Sequence, residues 1–411
     1  MRSTDAQRTV PEPSAARRTA DRVQPNLRPS LIVVCVLVIL IGLSVKYGWH
    51  HRFFAARVYA VRAAGGHVDL DKGAPEWARA MLGEDFWATA NSLSLDDPSL
   101  SDDQVACLVR RFPEISWLGL YKTPLGPATA EALATLKDLV HVNFADTNVS
   151  EDLMRSLSGN SRLGIIGLSR TRIEGHALKE LAPLRMLAGI DLDDSPITDE
   201  QLADLKAPKT LTYVNLNRCP QITDDAFVHL GRVASLRHLN LYETKITGAG
   251  LRHLATCSAL TSVNLTGTPL RDAALADLSL LRALSELFLA NTPITDQGLA
   301  HLAAMTGLTN IDLSGTRITD EGLLALQALT GLEWLRLDNT AVTDRAFAIL
   351  STLPKLNHLS LNNTKVTGGG ISSLTGFPAL MGIQCHETGV KRAAVANLER
   401  ARPGLVILAD Q

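Results

Sequence analysis

The sequence predicts an α/β solenoid, a horseshoe-like array with one parallel strand and one short helix per repeat, preceded by a single transmembrane helix. Three observations predict it. The second apolar residue of an L-x-L pair returns every 24 residues, with two intervals of 25, at Leu95, Leu120, Phe144, Leu168, Leu192, Leu216, Leu241, Leu265, Leu289, Leu313, Leu337, Leu361 and Cys385. An uncharged apolar run, Leu31–Val45, stands between basic flanks. With these placed, no stretch remains to house a separate enzymatic domain. A single repeat cannot bury both of its faces, whereas stacked neighbours build one continuous core.

Charge narrows the function classes. Lys plus Arg is 40 and Asp plus Glu is 42, a net of −2, which excludes a generally basic nucleic-acid binder. The balance is uneven: +3 over residues 1–30, +4 over 31–66 and −9 over 67–411. The apolar class is 46% and the aromatics only 5%, so the core must be aliphatic. Of the five Cys, Cys35 lies in the apolar run and Cys107, Cys219, Cys257 and Cys385 fall in different repeats at different phases, so no disulfide framework follows.

In chain order, residues 1–30 form a basic disordered tail with six Arg. Residues 31–49 form the transmembrane helix: nineteen residues rise ~28 Å, about the hydrocarbon thickness. Lys46 can snorkel, and Tyr47 and Trp49 suit the interface. The uncleaved first apolar segment reads as a signal anchor, with the repeats expected on the extracytoplasmic side. Residues 50–66 are a juxtamembrane linker whose aromatics, Arg and His suit the headgroup boundary. Residues 67–92 form an N-terminal cap, with an edge strand at His67–Leu70 and a helix over Pro75–Gly83. Residues 93–411 are about thirteen repeats and a degenerate last one around Leu408.

The copy from Leu308 to Gly331 shows the grammar. Ile311 and Leu313 alternate with Asn310, Asp312 and Ser314, a short strand with one buried face. Thr319 is placed to cap a helix, with Asp320 and Glu321 in its first turn, where acids favour the dipole. Leu323 and Leu326 share its inner face. Thr recurs three residues after the L-x-L pair at Thr147, Thr171, Thr244, Thr268, Thr292, Thr316, Thr340, Thr364 and Thr388, with Ser195 and Cys219 as variants. Such a hydroxyl ladder can satisfy loop backbone groups in every repeat.

The pattern L-x-x-L-x-L-x-x-T-x-I-T-D-x-G-L-x-x-L, nearly intact at Leu284–Leu302 and Leu308–Leu326, resembles the leucine-rich repeat family over about residues 93–411. The segments NRCPQITDDAF and GLRHLATCSAL resemble its cysteine-containing subtype. That subtype occurs in substrate-receptor subunits of ubiquitin ligases. The order of basic tail, apolar helix and AVRAAGGHVDLD (Ala60–Asp71) looks like membrane-anchored bacterial members. The resemblance implies binding of a protein or peptide.

The phosphate-loop, H-E-x-x-H, C-x-x-C and G-x-S-x-G patterns are absent, so no catalytic residue, cofactor or metal is expected. Gly368–Gly370 reads as a loosened turn. His229, His253 and His301 share one helical phase and read as solvent positions. Asp191, Asp193, Asn215 and Asn217 face outward on adjacent strands, compatible either with a Ca²⁺ site or with a solvated polar face.

The leading reading is a membrane-anchored scaffold that binds a protein or peptide on its concave sheet and no nucleic acid. The alternatives are an envelope spacer, a ubiquitin-ligase substrate receptor and an enzyme. Strand alternation turns Tyr213, His238, Tyr242, Trp334, Arg336, Asp338 and His358 outward. Trp, Tyr and Arg dominate binding hot spots, so these residues are the candidate contact surface.

Overall fold

A computed structural model describes residues 56–71, 89–205 and 208–410. A helix over 56–63 leads to β1 (His67–Asp71), which pairs antiparallel with β2 (Thr89–Asp96). From β2 onward every neighbour is parallel: β3 (Trp117–Tyr121), β4 (His141–Asn143), β5 (Ile165–Gly167), β6 (Gly189–Asp191) and β7 (Tyr213–Asn215). The ladder continues through β8 (His238–Asn240), β9 (Ser262–Asn264), β10 (Glu286–Phe288), β11 (Asn310–Asp312), β12 (Trp334–Arg336), β13 (His358–Ser360), β14 (Gly382–Cys385) and β15 (Val406–Ala409). A second sheet of two strands, Asn148–Val149 with Arg172–Ile173, was not foreseen. The expected edge strand is β1. The expected helix over Pro75–Gly83 and the transmembrane segment 31–49 lie outside the described residues. Among the described residues no helix is long and apolar enough to cross a membrane.

The strands are short because each L-x-L pair supplies only one buried residue inside the ladder. Val214, Leu239, Val263, Leu287, Ile311 and Leu335 are each fully buried, and the second apolar residues, Leu216 through Leu361, continue the stack beneath the following turn. The register advances by one repeat per strand, as in Leu239↔Val263 and Leu287↔Ile311, so like positions form rows across the sheet. The outer segments are shorter than ordinary helices. Ala177–Leu181 and Leu251–Thr256 are 3₁₀ turns, and Asp296–Leu299 runs on into the 3₁₀ turn Ala300–Ala304. Inward apolar residues three apart, such as Leu299 and Leu302, share one face in that geometry.

Just after each strand the backbone turns through the left-handed region, at Lys122, Asp146, Arg170, Asp194, Arg218, Glu243, Asn291, Asn339, Asn363 and Glu387, with Gly267 and Gly315 in the same phase. The hydroxyl ladder follows. Thr244, Thr268, Thr292, Thr316, Thr340 and Thr364 each donate to the carbonyl three residues back, at 2.5–2.8 Å. Ser195 donates to the Leu168 and Thr171 carbonyls, and Cys219 to that of Leu192. Thr123, at the same phase one repeat before Thr147 and also buried, has an Oγ1 with no partner.

Asp320 and Glu321 lie in the first helical turn, as expected, but the Asp has a second role. Thr319 does cap its helix, accepting from the Glu321 N–H at 3.3 Å. Asp320, however, is buried and accepts from both the N–H (2.9 Å) and the hydroxyl (2.6 Å) of Thr343 in the next repeat. Asp272, Asp296 and Asp344 clamp Thr295, Thr319 and Thr367 in the same way. The clamp explains the Gly of T-D-x-G: a Cβ on Gly322 would lie 2.3 Å from Asp296 Oδ1. Gly370 meets Asp344 at the same distance and Thr367 caps its turn, so Gly368–Gly370 is a packed helical start and not a loosened turn.

Candidate binding surface

The concave face consists of three rows of outward side chains, the two flanking each buried strand residue and one two positions further on. Through the middle strands these polar groups are engaged. Asn143 accepts from the N–H of Ala145 (2.9 Å), Asn215 from that of Asn217 (3.1 Å) and Asn264 from that of Thr266 (3.0 Å), each closing a local turn. Asp191 accepts from the Asp193 N–H (3.1 Å), Asn215 Nδ2 (2.8 Å) and Ser169 Oγ (3.1 Å). Asn217 accepts from the Tyr242 N–H, and Arg218 pairs with Asp193. Burial raises the Asp193 carboxyl above the ordinary range, with Arg218 opposing. Asp191, Asn215 and Asn217 thus link their own turns and neighbouring strands, while Asp193 Oδ1 is buried without a hydrogen-bond partner. Among the described residues no group of three or more His, Cys, Asp or Glu side chains is placed to hold a metal ion, the His229, His253 and His301 row included.

The candidate residues separate into two groups. Tyr213, His238 and Tyr242 lie on β7, β8 and the turn beyond it. The Tyr213 hydroxyl accepts from Asn240 (3.3 Å), and burial raises its pKa. Tyr242 donates to Glu243 (2.7 Å), with the Arg218 guanidinium 6.0 Å from its ring. Four strand spacings away, roughly 19 Å, β12 and β13 hold Trp334, Arg336 and His358, with Trp334 and His358 directly paired in register. Asp338 differs from its expected exposure: it is only 5% exposed. Its carboxylate accepts from Ser360 Oγ (2.5 Å) and the Asn362 N–H (2.8 Å), and holds Arg336 at 3.1 Å. Arg336 also faces Asp312 at 3.6 Å and lies 5.6 Å from the Trp334 ring centre. Its charge is thus matched, and its guanidinium over the indole makes one wall.

That wall borders a hollow of about 520 Å³ lined also by His358, Met381, Gly382, Gln384, Val406 and Leu408. Gly382, in register with His358, carries no side chain on the floor of the hollow, as Gly189 carries none in the same row. Met381, Val406 and Leu408 are 56%, 60% and 47% exposed, a larger apolar surface than the middle strands offer at Val140 and Ile165, 39% and 44% exposed. Sequence reasoning missed these three. Their signal is present in V-I-L-A, where both outward strand positions, Val406 and Leu408, are apolar. A second group was also missed: Trp117 lies 6.4 Å from Tyr121 and 5.7 Å from His141, ring centre to ring centre. Both Trp117 and Tyr121 lean over Gly119, where a Cβ would sit 2.6 Å from each ring. The outward phase of W-L-G-L-Y identifies it.

The core thiols offer no nucleophile at neutral pH. Burial pushes Cys219 up to about 12 and Cys385 to about 11, and raises Cys257.

A family profile described as Leucine Rich repeat matches residues 305–326. No curated protein matches the chain. Among solved structures, an internalin, InlF, of Listeria monocytogenes is similar with a TM-score of 0.55 at 18% identity, covering 81% of this chain and 93% of that one. Internalin C2 of the same organism gives 0.40 at 24% identity over 52% and 84%. A leucine-rich repeat protein of Leptospira interrogans gives 0.41 at 17% over 73% and 91%. The repeat profile and the InlF likeness agree with the strand order above: the fold is a leucine-rich repeat solenoid.

Proposed function

We propose that this leucine-rich repeat protein is a membrane-tethered scaffold that binds a protein or peptide at the C-terminal end of its concave sheet. One observation carries the reading: the wall of Trp334 and Arg336 stands beside three exposed apolar side chains around an open hollow. Its volume lies in the range of about 300–1,000 Å³ that accommodates ligands. Trp and Arg are the residue types that dominate binding energy. The matched charge of Arg336 favours a partner that inserts an apolar or aromatic side chain over one that brings a carboxylate. No reaction is part of this reading. The segment 31–49 is the proposed signal anchor, with the repeats outside the cytoplasm.

The binding test uses the full chain in a mild non-ionic detergent to select from a random peptide library. Apolar-anchored peptides should be enriched on the wild type and lost on Trp334→Ala/Arg336→Ala. Equal enrichment on both would place recognition on another surface. For the anchor, alkaline carbonate washing should leave the protein in the membrane pellet. Val36→Arg with Ile39→Arg should raise the insertion cost by roughly 2.5–3.5 kcal/mol each and release it. Wild-type protein in the carbonate supernatant would refute the anchor.

A further inference from the structure

The two ends of the sheet are finished differently. At the N-terminal end β1 lies antiparallel on β2, and the helix over 56–63 buries Val58 and Val61 against the first repeat. At the other end β15 is the last strand, and among the described residues nothing pairs with its outer side. Val406 donates its N–H to Met381 on the inner side. One residue on, by strand alternation, the N–H of Ile407 points outward, as does that of Ala409. The equivalent of Ala409 two repeats earlier, Leu361, donates to Gln384 of the following strand. Val-Ile-Leu-Ala also lacks the Lys, Pro or inward charge with which exposed edge strands are usually blunted.

Beside this edge, the last helix, Arg392–Ala401, presents a stripe at i, i+3, i+4 and i+7: Arg392, Val395, Ala396 and Glu399. The stripe borders a cleft of about 360 Å³ completed by Ile407, Ala409 and Asp410. Val395, Ile407 and Ala409 are only half-covered, so the core of the last repeat is left partly open. Arg392 and Glu399 make no ion pair among the described residues. The stripe is therefore a cation, an apolar centre and an anion in a line ~10.5 Å long. Such a line is complementary to itself when reversed.

We propose that two copies of this chain associate end to end through this face, about a two-fold axis. β15 pairs antiparallel with its counterpart, joining the two sheets. The last helix packs antiparallel on its counterpart, so that Arg392 of each copy meets Glu399 of the other over Val395 and Ala396. Strands ~4.8 Å apart and helices 8–10 Å apart are the spacings of an ordinary strand pair and an ordinary helix pair. Curvature of a repeat array accommodates both at one joint. An isologous contact of this kind closes at two copies and uses up the β15 edge of both. The open hollows of the two copies would then adjoin across the new sheet junction, because Val406 and Leu408 belong to both features.

The test is the protein mass of the full chain in mild non-ionic detergent, by light scattering and sedimentation with the detergent contribution removed. The wild type should have twice the 44.3-kDa chain mass. Arg392→Glu and Glu399→Arg should each reduce it to one chain by opposing like charges, and the double reversal should restore two. Ala409→Pro, which removes one outward N–H, should also reduce it. Circular dichroism identical to wild type excludes misfolding as the cause. A wild-type monomer overturns the proposal. So does a dimer unmoved by either single reversal, which would locate self-association elsewhere, including the segment 31–49.

Discussion

Strands β4–β9 and strands β12–β14 share one frame, with a buried residue between its flanking positions, and β15 repeats it with Ile407 half-buried, yet their outward side chains serve different ends. In the middle of the sheet Asn143, Asp191, Asn215, Asn217 and Asn264 are tied to backbone N–H groups of their own turns or of the next strand. Asn215 is buried and the other four are half-buried, and all five are already bonded. At the C-terminal end the outward rows pass through Trp334, Arg336, His358, Gly382, Val406 and Leu408, and the polar ladder gives way to exposed apolar surface. A polar concave face is therefore no guide by itself to where a partner binds. What distinguishes the two regions is how many outward groups are satisfied before any partner arrives.

The largest test of this difference is at Trp334. Trp334→Ala should weaken peptide binding by about 2 kcal/mol or more, some 30-fold, while the unfolding midpoint shifts little. Isothermal titration against a selected peptide, paired with urea unfolding, reads both quantities. Asp191→Ala should show the reverse. It removes three accepted hydrogen bonds and leaves a strand N–H unpaired, so about 1–3 kcal/mol of stability should be lost with peptide affinity unchanged. If Asp191→Ala abolished binding and spared stability, the two regions would have been assigned the wrong way round. The smallest test compares two positions of the hydroxyl ladder. Thr316→Val loses the bond to the Leu313 carbonyl and should cost about 1 kcal/mol. Thr123→Val loses no bond, because that hydroxyl is buried without a partner, and should be neutral or stabilising in the same urea series. Equal costs at the two positions would mean that the ladder acts through shape and not through hydrogen bonds.

The period of 24 made much of this legible. It placed the strands, the Thr ladder and the Thr319 cap. It also brought Trp334 beside His358, since residues one period apart on parallel strands are neighbours. It could not show that Asp320, besides standing in the first turn of its own helix, bonds Thr343, because the T-D dipeptide carries no sign of the neighbouring repeat. Asp338 failed in a related way: alternation turns it outward, but Ser360 and Asn362 of the next strand cover it. Val406 and Leu408 were missed because the final repeat departs from the pattern, and Met381 because it stands one residue before the outward position Gly382 of the preceding repeat. Their exposure matters only once the Trp334 wall is seen beside them.

The sequence by itself determined the repeat length, the phase of each strand, the aliphatic core and the family resemblance. All of these follow from apolar spacing within one repeat, where every interacting residue is close along the chain. Only the tertiary structure decided which outward groups are occupied, which carboxylates clamp the next repeat, and that the hollow opens between β12 and β15. Those outcomes depend on partners contributed by the neighbouring repeat. A side chain's hydrogen bonds and exposure are settled by what is stacked against it, and the spacing of its own segment leaves that open.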